Sequence, residues 1–303
     1  MSALSYSLLD DRGIIAVTGP DARAFLQGLV SNDMADVSPF RAVWAAFLTP
    51  QGKYLHDFFV IQADDDTLFL EGERARLDDL MRRLRMYRLR SKIELARRDD
   101  LAVTAVFGTG AAPAFGLADA PGTAARFGGG IAYVDPRLAS TGVRVVLLHP
   151  MTAAAMARIG AEPVPAAAYH RLRIGLGLPD GSRDMIVDKS VLLEGGFEEL
   201  NGVDFNKGCY LGQEVTARTK HRGLLKRRLL PVGIEGSPPE PGTPVKRDGH
   251  EVGEVRSASD GMALAFLRLD ALGDAGPPLM AGSSRLIPHR PTWFHPDTER
   301  SGT

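Results

Sequence analysis

Cysteine is almost absent from this chain of 303 residues, which contains one, at position 209. A single cysteine excludes an internal disulfide, and it excludes a zinc or iron-sulfur site built from several cysteines of this chain alone. An excess of either charge is also lacking, because 36 basic residues oppose 37 acidic ones. The overall charge therefore does not favour nucleic acid or an anionic membrane as a partner.

Long hydrophobic runs are missing as well. No stretch reaches the roughly 18 uninterrupted apolar residues that a membrane helix requires, and the first residues, MSALSYSLLDDRG, lack a basic start followed by an apolar run. The sequence therefore predicts a cytoplasmic protein. It has no GxGxxG or Walker motif, and the glycine run after Phe127 precedes a predicted strand, so a turn is predicted there.

What the chain does contain is an unusual setting for its cysteine, NGVDFNKGCYLGQEVTARTKHRG at positions 201–223. Alternation around Val203 and Phe205 predicts a short strand, and a helix is predicted to follow with Cys209 at or near its first turn. The helix start and Lys207 would favour the thiolate of Cys209, and the glycines at 208 and 212 would leave its sulfur accessible. The alternative, that Cys209 is a small buried hydrophobe, stays open.

The residues KGCYLGQE at 207–214 resemble the signature KGC[YF]xGQE of the YgfZ family, folate-binding relatives of the glycine-cleavage aminomethyltransferase. The flanking GLLKRRL at 223–229 resembles especially the branch that contains the mitochondrial iron-sulfur assembly factor. Similarity can be followed from about Leu8 to Trp293. The resemblance implies a tetrahydrofolate-binding factor that assists assembly or repair of iron-sulfur clusters. Cys209 would share a cluster with a partner, an A-type iron-sulfur carrier or a client enzyme, while Lys207 and Gln213 orient or compensate the thiolate.

The same resemblance implies contacts to tetrahydrofolate in a cavity between domains. The residues concerned are Asn32, Asp33, His56, Asp57, Tyr87, Arg90, Glu194 and Tyr210. Each motif also has a simpler interpretation: the LQGLVSND segment at 26–33 can merely close a helix, and PQGK at 50–53 can be only a hairpin tip. The YRLR segment at 87–90 ends an amphipathic helix predicted over 73–92, whose basic face can be simply solvated.

Two positions depart from the family pattern. His56 stands where the aminomethyltransferase has an aspartate, with Asp57 as the alternative register, and Gly175 stands where the family has a glutamate. Because glycine cannot make the two-pronged contact to the pterin, either Glu194, Glu198 or Asp57 substitutes or folate binds weakly. The departures argue against the alternative function of a folate-dependent aminomethyl or one-carbon transferase. A third alternative is a non-catalytic interaction module with a vestigial folate pocket.

The predicted fold class is α+β. Strands with irregularly interspersed helices indicate ferredoxin-like layers in residues 1–225. The resemblance implies that this region is aminomethyltransferase-like, with two interleaved subdomains, and that it is arranged with a C-terminal barrel around a central cavity. Short strands separated by turns rich in proline and glycine predict a small β-barrel over 226–295. The polar residues 296–303 are predicted to be a disordered tail.

Overall fold

The computed structural model describes residues 4–223, 225–273 and 276–294, so the predicted tail at 296–303 lies outside the described residues. The chain divides into two compact units. The first unit contains Leu55–Tyr169 and Leu200–Leu211 together with the described residues up to Leu48. The second contains Thr49–Tyr54, His170–Glu199 and the described residues from Gly212 onward.

The first unit is built on two β-sheets. The strands are β1 (Ser5–Leu8), β2 (Arg12–Thr18), β3 (Val43–Leu48), β4 (Tyr54–Asp64), β5 (Thr67–Glu73), β6 (Glu94–Arg97), β7 (Leu101–Phe107), β8 (Ala124–Phe127), β9 (Gly130–Val134), β10 (Val143–Leu148) and β11 (Glu162–Pro163). One sheet has the order β3-β4-β5-β2-β6 and the other β11-β1-β7-β10-β9-β8. The helices of this part of the chain are α1 (Ala22–Gln27), α2 (Leu77–Tyr87), α3 (Ala111–Ala114) and α4 (Thr152–Arg158).

An ionic network joins the two sheets of the first unit. The carboxylate of Glu71 on β5 accepts hydrogen bonds from Arg12 Nε at 2.7 Å, from Arg144 Nε and Nη2 at 2.7 Å each, and from the Tyr133 hydroxyl. Burial alone would raise the pKa of Glu71, but the guanidinium groups of Arg144 and Arg12 outweigh it and lower the pKa to about 2. Glu71 is completely buried, so these polar groups satisfy one another inside the core.

The second unit contains a closed six-stranded barrel, as the sequence predicts. Its strands are β12 (Arg227–Glu235), β13 (Pro244–Arg247), β14 (His250–Ser259), β15 (Met262–Arg268), β16 (Leu279–Ala281) and β17 (Ser284–Pro288), in the order β12-β15-β14-β13-β16-β17. The three-residue β16 gives too short a pattern to be predicted. Helices α5 (Ala166–Gly175), α6 (Gly181–Asp184) and α7 (Gln213–Arg222) precede the barrel. In the described part of the chain, no helix has the length and apolar character to cross a membrane.

Candidate functional site

The single cysteine lies in an irregular loop, residues 201–211. The predicted strand around Val203 is wrong, because backbone groups here pair with another loop instead of a sheet. The Ser31 hydroxyl donates to the Gly202 carbonyl at 2.6 Å, and the Asp204 N–H donates to the Ser31 carbonyl at 3.0 Å. The loop is therefore fastened to the segment that follows α1.

Cys209 is exposed, as the accessible-thiol interpretation expects. The sequence predicts Cys209 at or near the first helical turn; it precedes the helix and does not lie in that turn, since α7 begins only at Gln213. Gly212 precedes the helix in a left-handed conformation with φ of 80°, a geometry that glycine adopts without the strain of a side chain. The helix dipole acts mainly within the first turn, so Cys209 lies outside its main influence.

Lys207 anchors this loop. Its ammonium donates to the carbonyl oxygens of Gln27 at 2.9 Å, Val30 at 2.7 Å and Asn32 at 2.6 Å, which uses all three of its protons. Burial lowers the pKa of Lys207 to about 8, while the charge of Asp33 acts in the opposite direction. The arrangement makes Lys207 a positioning residue for the backbone that carries Cys209.

Three of the expected folate residues surround this anchor. Asn32 donates its amide hydrogens to the carbonyls of Trp44 and Asn201, both at 2.8 Å, and its Oδ1 accepts from the Asp33 N–H. The Asp33 side chain caps a short 3-10 helix that begins at Met34. The ring of Tyr210 lies 5.3 Å from Lys207 Nζ, within the range of a cation–π contact. The structure thus brings Asn32, Lys207 and Tyr210 together.

His56 and Asp57 are adjacent on β4, and both are buried, with 3% and 5% exposure. His56 Nε2 is 2.9 Å from Asp79 Oδ2, and Trp44 Nε1 donates to Asp57 Oδ2 at 2.9 Å. Burial lowers the pKa of His56 to about 4, with the charge of Arg76 acting in the same direction. Near neutral pH the imidazole is therefore uncharged and can donate Nε2–H to Asp79.

The predicted helix over 73–92 is shorter in the structure, since α2 ends at Tyr87 and Leu89 has a positive φ of 42°. The Tyr87 ring packs edge-on against Phe47, with centroids 5.9 Å apart. Arg90 is exposed on the surface. Neither residue contacts the Cys209 loop directly in the interactions described for this unit.

Glu194 and Gln213 belong to the second unit. Glu194 accepts from Arg227 Nε at 2.8 Å and Nη2 at 3.1 Å and also from the Val191 N–H. Gln213 is the first residue of α7. Gly175 ends α5, is exposed, and has no atom within 4 Å of the place that a side-chain Cβ would occupy.

A pterin of the tetrahydrofolate type requires a carboxylate that is free to accept two hydrogen bonds from it. Asp57 accepts a hydrogen bond from Trp44, Glu194 accepts two from Arg227, and Glu198 forms an ion pair with Lys220, whereas Gly175 offers no carboxylate. The Asn32 side chain is also engaged, since its Nδ2 donates to the Trp44 and Asn201 carbonyls and its Oδ1 accepts from the Asp33 N–H. These residues therefore do not fit the two-pronged carboxylate contact to the pterin.

Two residues of this region were not singled out from the sequence. Ser31 is fully buried, and its hydroxyl connects the two loops by donating to the Gly202 carbonyl. The same hydroxyl accepts from the Ala46 N–H of β3 at 2.8 Å. The motif VSND at 30–33, which resembles the family pattern, is the sequence signal that points to Ser31. Asp79 forms ion pairs with Arg82 and Arg83 of its own helix in addition to the contact with His56. Helical spacing predicts those pairs, whereas the His56 contact depends on tertiary packing.

Comparison with known proteins supports the two-part architecture. Residues 10–115 match the family model described as the GCVT N-terminal domain, and residues 226–296 match the CAF17 C-terminal beta-barrel domain. The crystal structure of glycine cleavage system aminomethyltransferase T from Bartonella henselae aligns with a TM-score of 0.78, over 97% of this chain and 87% of that one. At 16% identity this likeness concerns the fold alone.

Fold and domain content define an aminomethyltransferase-like protein with a C-terminal closed barrel. Among its relatives, iron-sulfur cluster assembly factor IBA57 of Homo sapiens is 33% identical over 86% of this chain and 76% of its own length. The IBA57 homologue of Pyricularia oryzae is 30% identical, over 89% and 73%, respectively. The homologue of Neurospora crassa is 34% identical over 77% of this chain. The present chain spans only about half of that relative, 54% of its length. The chain belongs to the IBA57 family of iron-sulfur cluster assembly factors.

These relatives refine one prediction and overturn another. The YgfZ family is related, but the family that the comparisons show is the assembly-factor branch indicated by the flanks of the signature. The predicted cytoplasmic location is wrong, because the relatives are named as mitochondrial proteins. The lack of a basic start followed by an apolar run bears only on secretory signals and carries no information about a mitochondrial location.

Proposed function

We propose that this protein assists assembly or repair of iron-sulfur clusters in client proteins, with Cys209 as one ligand to a cluster that it shares with a partner. The observation that carries the proposal is the exposed Cys209 on a loop that Lys207 holds through three hydrogen bonds. A soft thiolate is a preferred ligand of iron in clusters, and coordination deprotonates the thiol. An anchored loop presents the sulfur with little loss of conformational entropy on binding.

The remaining ligands come from the partner in this proposal. The chain has one cysteine, and its described residues contain no group of three or more His, Cys, Asp and Glu side chains placed to hold a metal ion. A jointly held cluster needs such a partner because Cys₄ ligation is the common arrangement. An A-type iron-sulfur carrier or an iron-sulfur client enzyme provides the required chemistry.

The test is anaerobic cluster reconstitution on a mixture of this protein and a purified A-type carrier. Cys209→Ala is expected to abolish the shared cluster, read from its visible absorption and from the co-elution of iron with both proteins. Asn206→Ala is the matched control, because Asn206 is an exposed neighbour on the same loop that offers no sulfur. Equal cluster occupancy in Cys209→Ala and wild type would remove the cysteine from the proposal.

We also propose that this protein binds tetrahydrofolate only weakly. This proposal is supported by the resemblance to a folate-binding family together with the missing glutamate at position 175, which the engaged carboxylates of Asp57 and Glu194 do not replace. A carboxylate with two hydrogen bonds to a ligand contributes about 1.5–3 kcal/mol. Gly175→Glu is therefore expected to tighten binding about tenfold or more, and an added Cβ at Gly175 meets no atom within 4 Å.

Calorimetric titration with tetrahydrofolate under anaerobic conditions measures this, with Gly175→Ala as the control for the backbone change. Cys209→Ala is included to separate folate binding from the thiol, and it is expected to leave the affinity unchanged. Wild-type binding as tight as that of Gly175→Glu would contradict the proposal. Formation of methylenetetrahydrofolate from an aminomethyl donor would instead favour the one-carbon transferase alternative, for which the buried His56 gives no support.

A further inference from the structure

The C-terminal end of α2 presents an unusual surface. Leu80–Ile93 contains six basic residues and no acidic one, in a chain of net charge -1. Arg82 and Arg83 form ion pairs with Asp79. By contrast, three exposed arginines form no ion pair within the described part of the chain, namely Arg85, Arg88 and Arg90. Their charges are available to an external group.

Two large apolar side chains lie among these arginines. Met86 is 66% exposed and Leu89 is 90% exposed. Leu89 also has a φ of 42°, a left-handed conformation that costs a non-glycine residue roughly 1–2 kcal/mol. A side chain so exposed adds almost nothing to the core, so the folded state alone does not account for leucine at this strained position. We call Arg85, Met86, Arg88, Leu89 and Arg90 the α2 patch.

The α2 patch is connected to the Cys209 loop through direct contacts in the first unit. Tyr87, within the patch sequence, packs its ring against Phe47. Phe47 forms a β-bridge with Val30, whose carbonyl accepts from Lys207 Nζ at 2.7 Å. Three consecutive contacts therefore lead from Tyr87, the chain neighbour of the patch residues Met86 and Arg88, to the anchor of the cysteine loop. A protein bound at the patch is held on the same unit as the thiol.

We infer that the α2 patch is the docking surface for an acidic protein, the partner that holds the cluster opposite Cys209. The inference rests on the proposed function and specifies the partner's chemistry: carboxylates that flank an exposed apolar side chain. Arginine binds carboxylates through two parallel hydrogen bonds, and arginine and methionine are both enriched at protein interfaces.

A protein partner is favoured over a lipid surface by the shape of the apolar face. A helix that lies in a membrane interface needs a continuous apolar stripe, but Leu77, Leu80 and Leu84 of α2 are buried in the protein core. Within the described residues 80–93, the large apolar side chains that are exposed are Met86 and Leu89, and exposed arginines are their neighbours in the chain. Two such side chains suit a small apolar contact with a protein whose carboxylates pair with the neighbouring arginines.

The test measures the affinity of the full-length protein for a purified A-type carrier by calorimetry at low and at physiological salt. Arg88→Glu combined with Leu89→Ser is expected to weaken binding at least tenfold and to remove most of its salt dependence. The control is Arg158→Glu combined with Met151→Ser, which reverses one arginine charge and replaces one exposed apolar side chain by serine elsewhere on the first unit. The control is expected to bind like wild type.

Leu89→Gly separates binding from folding. Glycine relieves the left-handed strain, so the melting temperature should not fall, while binding should weaken because the apolar contact is lost. Cys209→Ala should bind the carrier with nearly wild-type affinity but fail to share a cluster. This pattern distinguishes loss of docking from loss of the ligand.

Three other outcomes would contradict the docking inference, and one of them would also contradict the proposed carrier partnership. If the patch variant binds like its control while wild type shares a cluster, the docking surface is wrong and the proposed function stands. If wild type does not bind the carrier at either salt concentration, the docking inference and the proposed carrier partnership both fail. If the patch substitutions abolish binding to vesicles of anionic phospholipid but leave carrier binding unchanged, the patch is a membrane contact instead.

Discussion

At the scale of single residues, Lys207 links the KGC signature to the loop that follows α1. Its ammonium is the donor for three backbone carbonyls. Lys207→Met retains the aliphatic stem but leaves those carbonyls without their partner. Charged hydrogen bonds contribute about 1.5–3 kcal/mol each and are not additive, and removal of a buried cation offsets part of the loss. We expect the free energy of unfolding to fall by about 2–4 kcal/mol, measured by urea denaturation.

The same substitution should also loosen the cysteine loop. Amide hydrogen exchange over residues 28–33 and 202–211 is expected to accelerate, and alkylation of Cys209 is expected to change in rate. Lys226→Met is the control, since Lys226 is exposed just before the barrel. Unchanged exchange in both loops would mean that Lys207 does not anchor them.

His56 predicts a specific dependence of stability on pH. Burial lowers its pKa from 6.5 to about 4 in the folded state, so between these values the unfolded chain binds a proton that the folded chain does not. The contribution of the uncharged His56 to the free energy of unfolding is therefore fully present above pH 6.5 and is lost as the pH falls toward 4. The shift corresponds to a loss of about 2 kcal/mol between pH 7 and pH 5.

The measurement is urea denaturation at both pH values for wild type and for His56→Gln. Glutamine does not titrate, so the variant should lose this pH dependence even if it is less stable at pH 7. Burial alone would raise the pKa of Asp79, but its hydrogen bonds to Arg83, Arg82 and His56 together lower it. Its effect falls below pH 4, outside the measured window. An equal slope in both proteins would contradict the assignment to His56.

At the scale of elements, apolar patterns predicted most strands but did not locate the helix beside the cysteine. Strand β2 and the barrel strands follow alternating or continuous apolar runs, which is the signal that the sequence carries most directly. The start of α7 depends on the left-handed conformation of Gly212, and the loop before it depends on hydrogen bonds from Ser31 and Lys207 to distant residues. Such contacts have no local pattern, so the irregular loop was predicted as a strand and an early helix turn.

The PQGK turn at 50–53, between β3 and β4, does more than connect two strands, because its glycine lies close to the start of α7. Gly52 has a φ of 71°, and an added Cβ would lie 2.7 Å from Val215 Cβ and 2.8 Å from the Gly212 carbonyl oxygen. Gly52→Ala thus combines left-handed strain with a collision at the start of α7. We expect a loss of about 2–4 kcal/mol, measured as the free energy of unfolding.

Gly175→Ala is the matched control for Gly52→Ala. It places the same methyl group where no atom lies within 4 Å, on a backbone without positive φ. It should be neutral or slightly stabilising. Comparable destabilisation by both substitutions would show that the close approach of the turn to α7 does not constrain Gly52.

At the scale of the whole molecule, the chain passes repeatedly between the two units, so neither unit is one continuous segment. The sequence predicted the barrel because its strands are contiguous and regularly spaced. It could not predict that residues 49–54 and 170–199 join the barrel's unit, since that grouping follows from tertiary contacts. Buried Arg173 illustrates such contacts: its Nη1 donates to Asp184 at 2.6 Å and its Nη2 to Ser257 of β14 at 3.2 Å.

These contacts predict how fragments of the chain behave. A fragment of residues 226–294 has a closed barrel with its own buried cluster, including Val232, Val255 and Leu286, so it should fold alone with low stability because small domains bury little surface. A fragment of residues 170–294 should unfold cooperatively at a higher temperature, since it restores the Arg173 contacts and the bond from Trp293 Nε1 to the Leu176 carbonyl. Circular dichroism melts and amide NMR dispersion test this. Equal melting temperatures for the two fragments would mean that residues 170–199 do not stabilise the barrel, despite their place in the same unit.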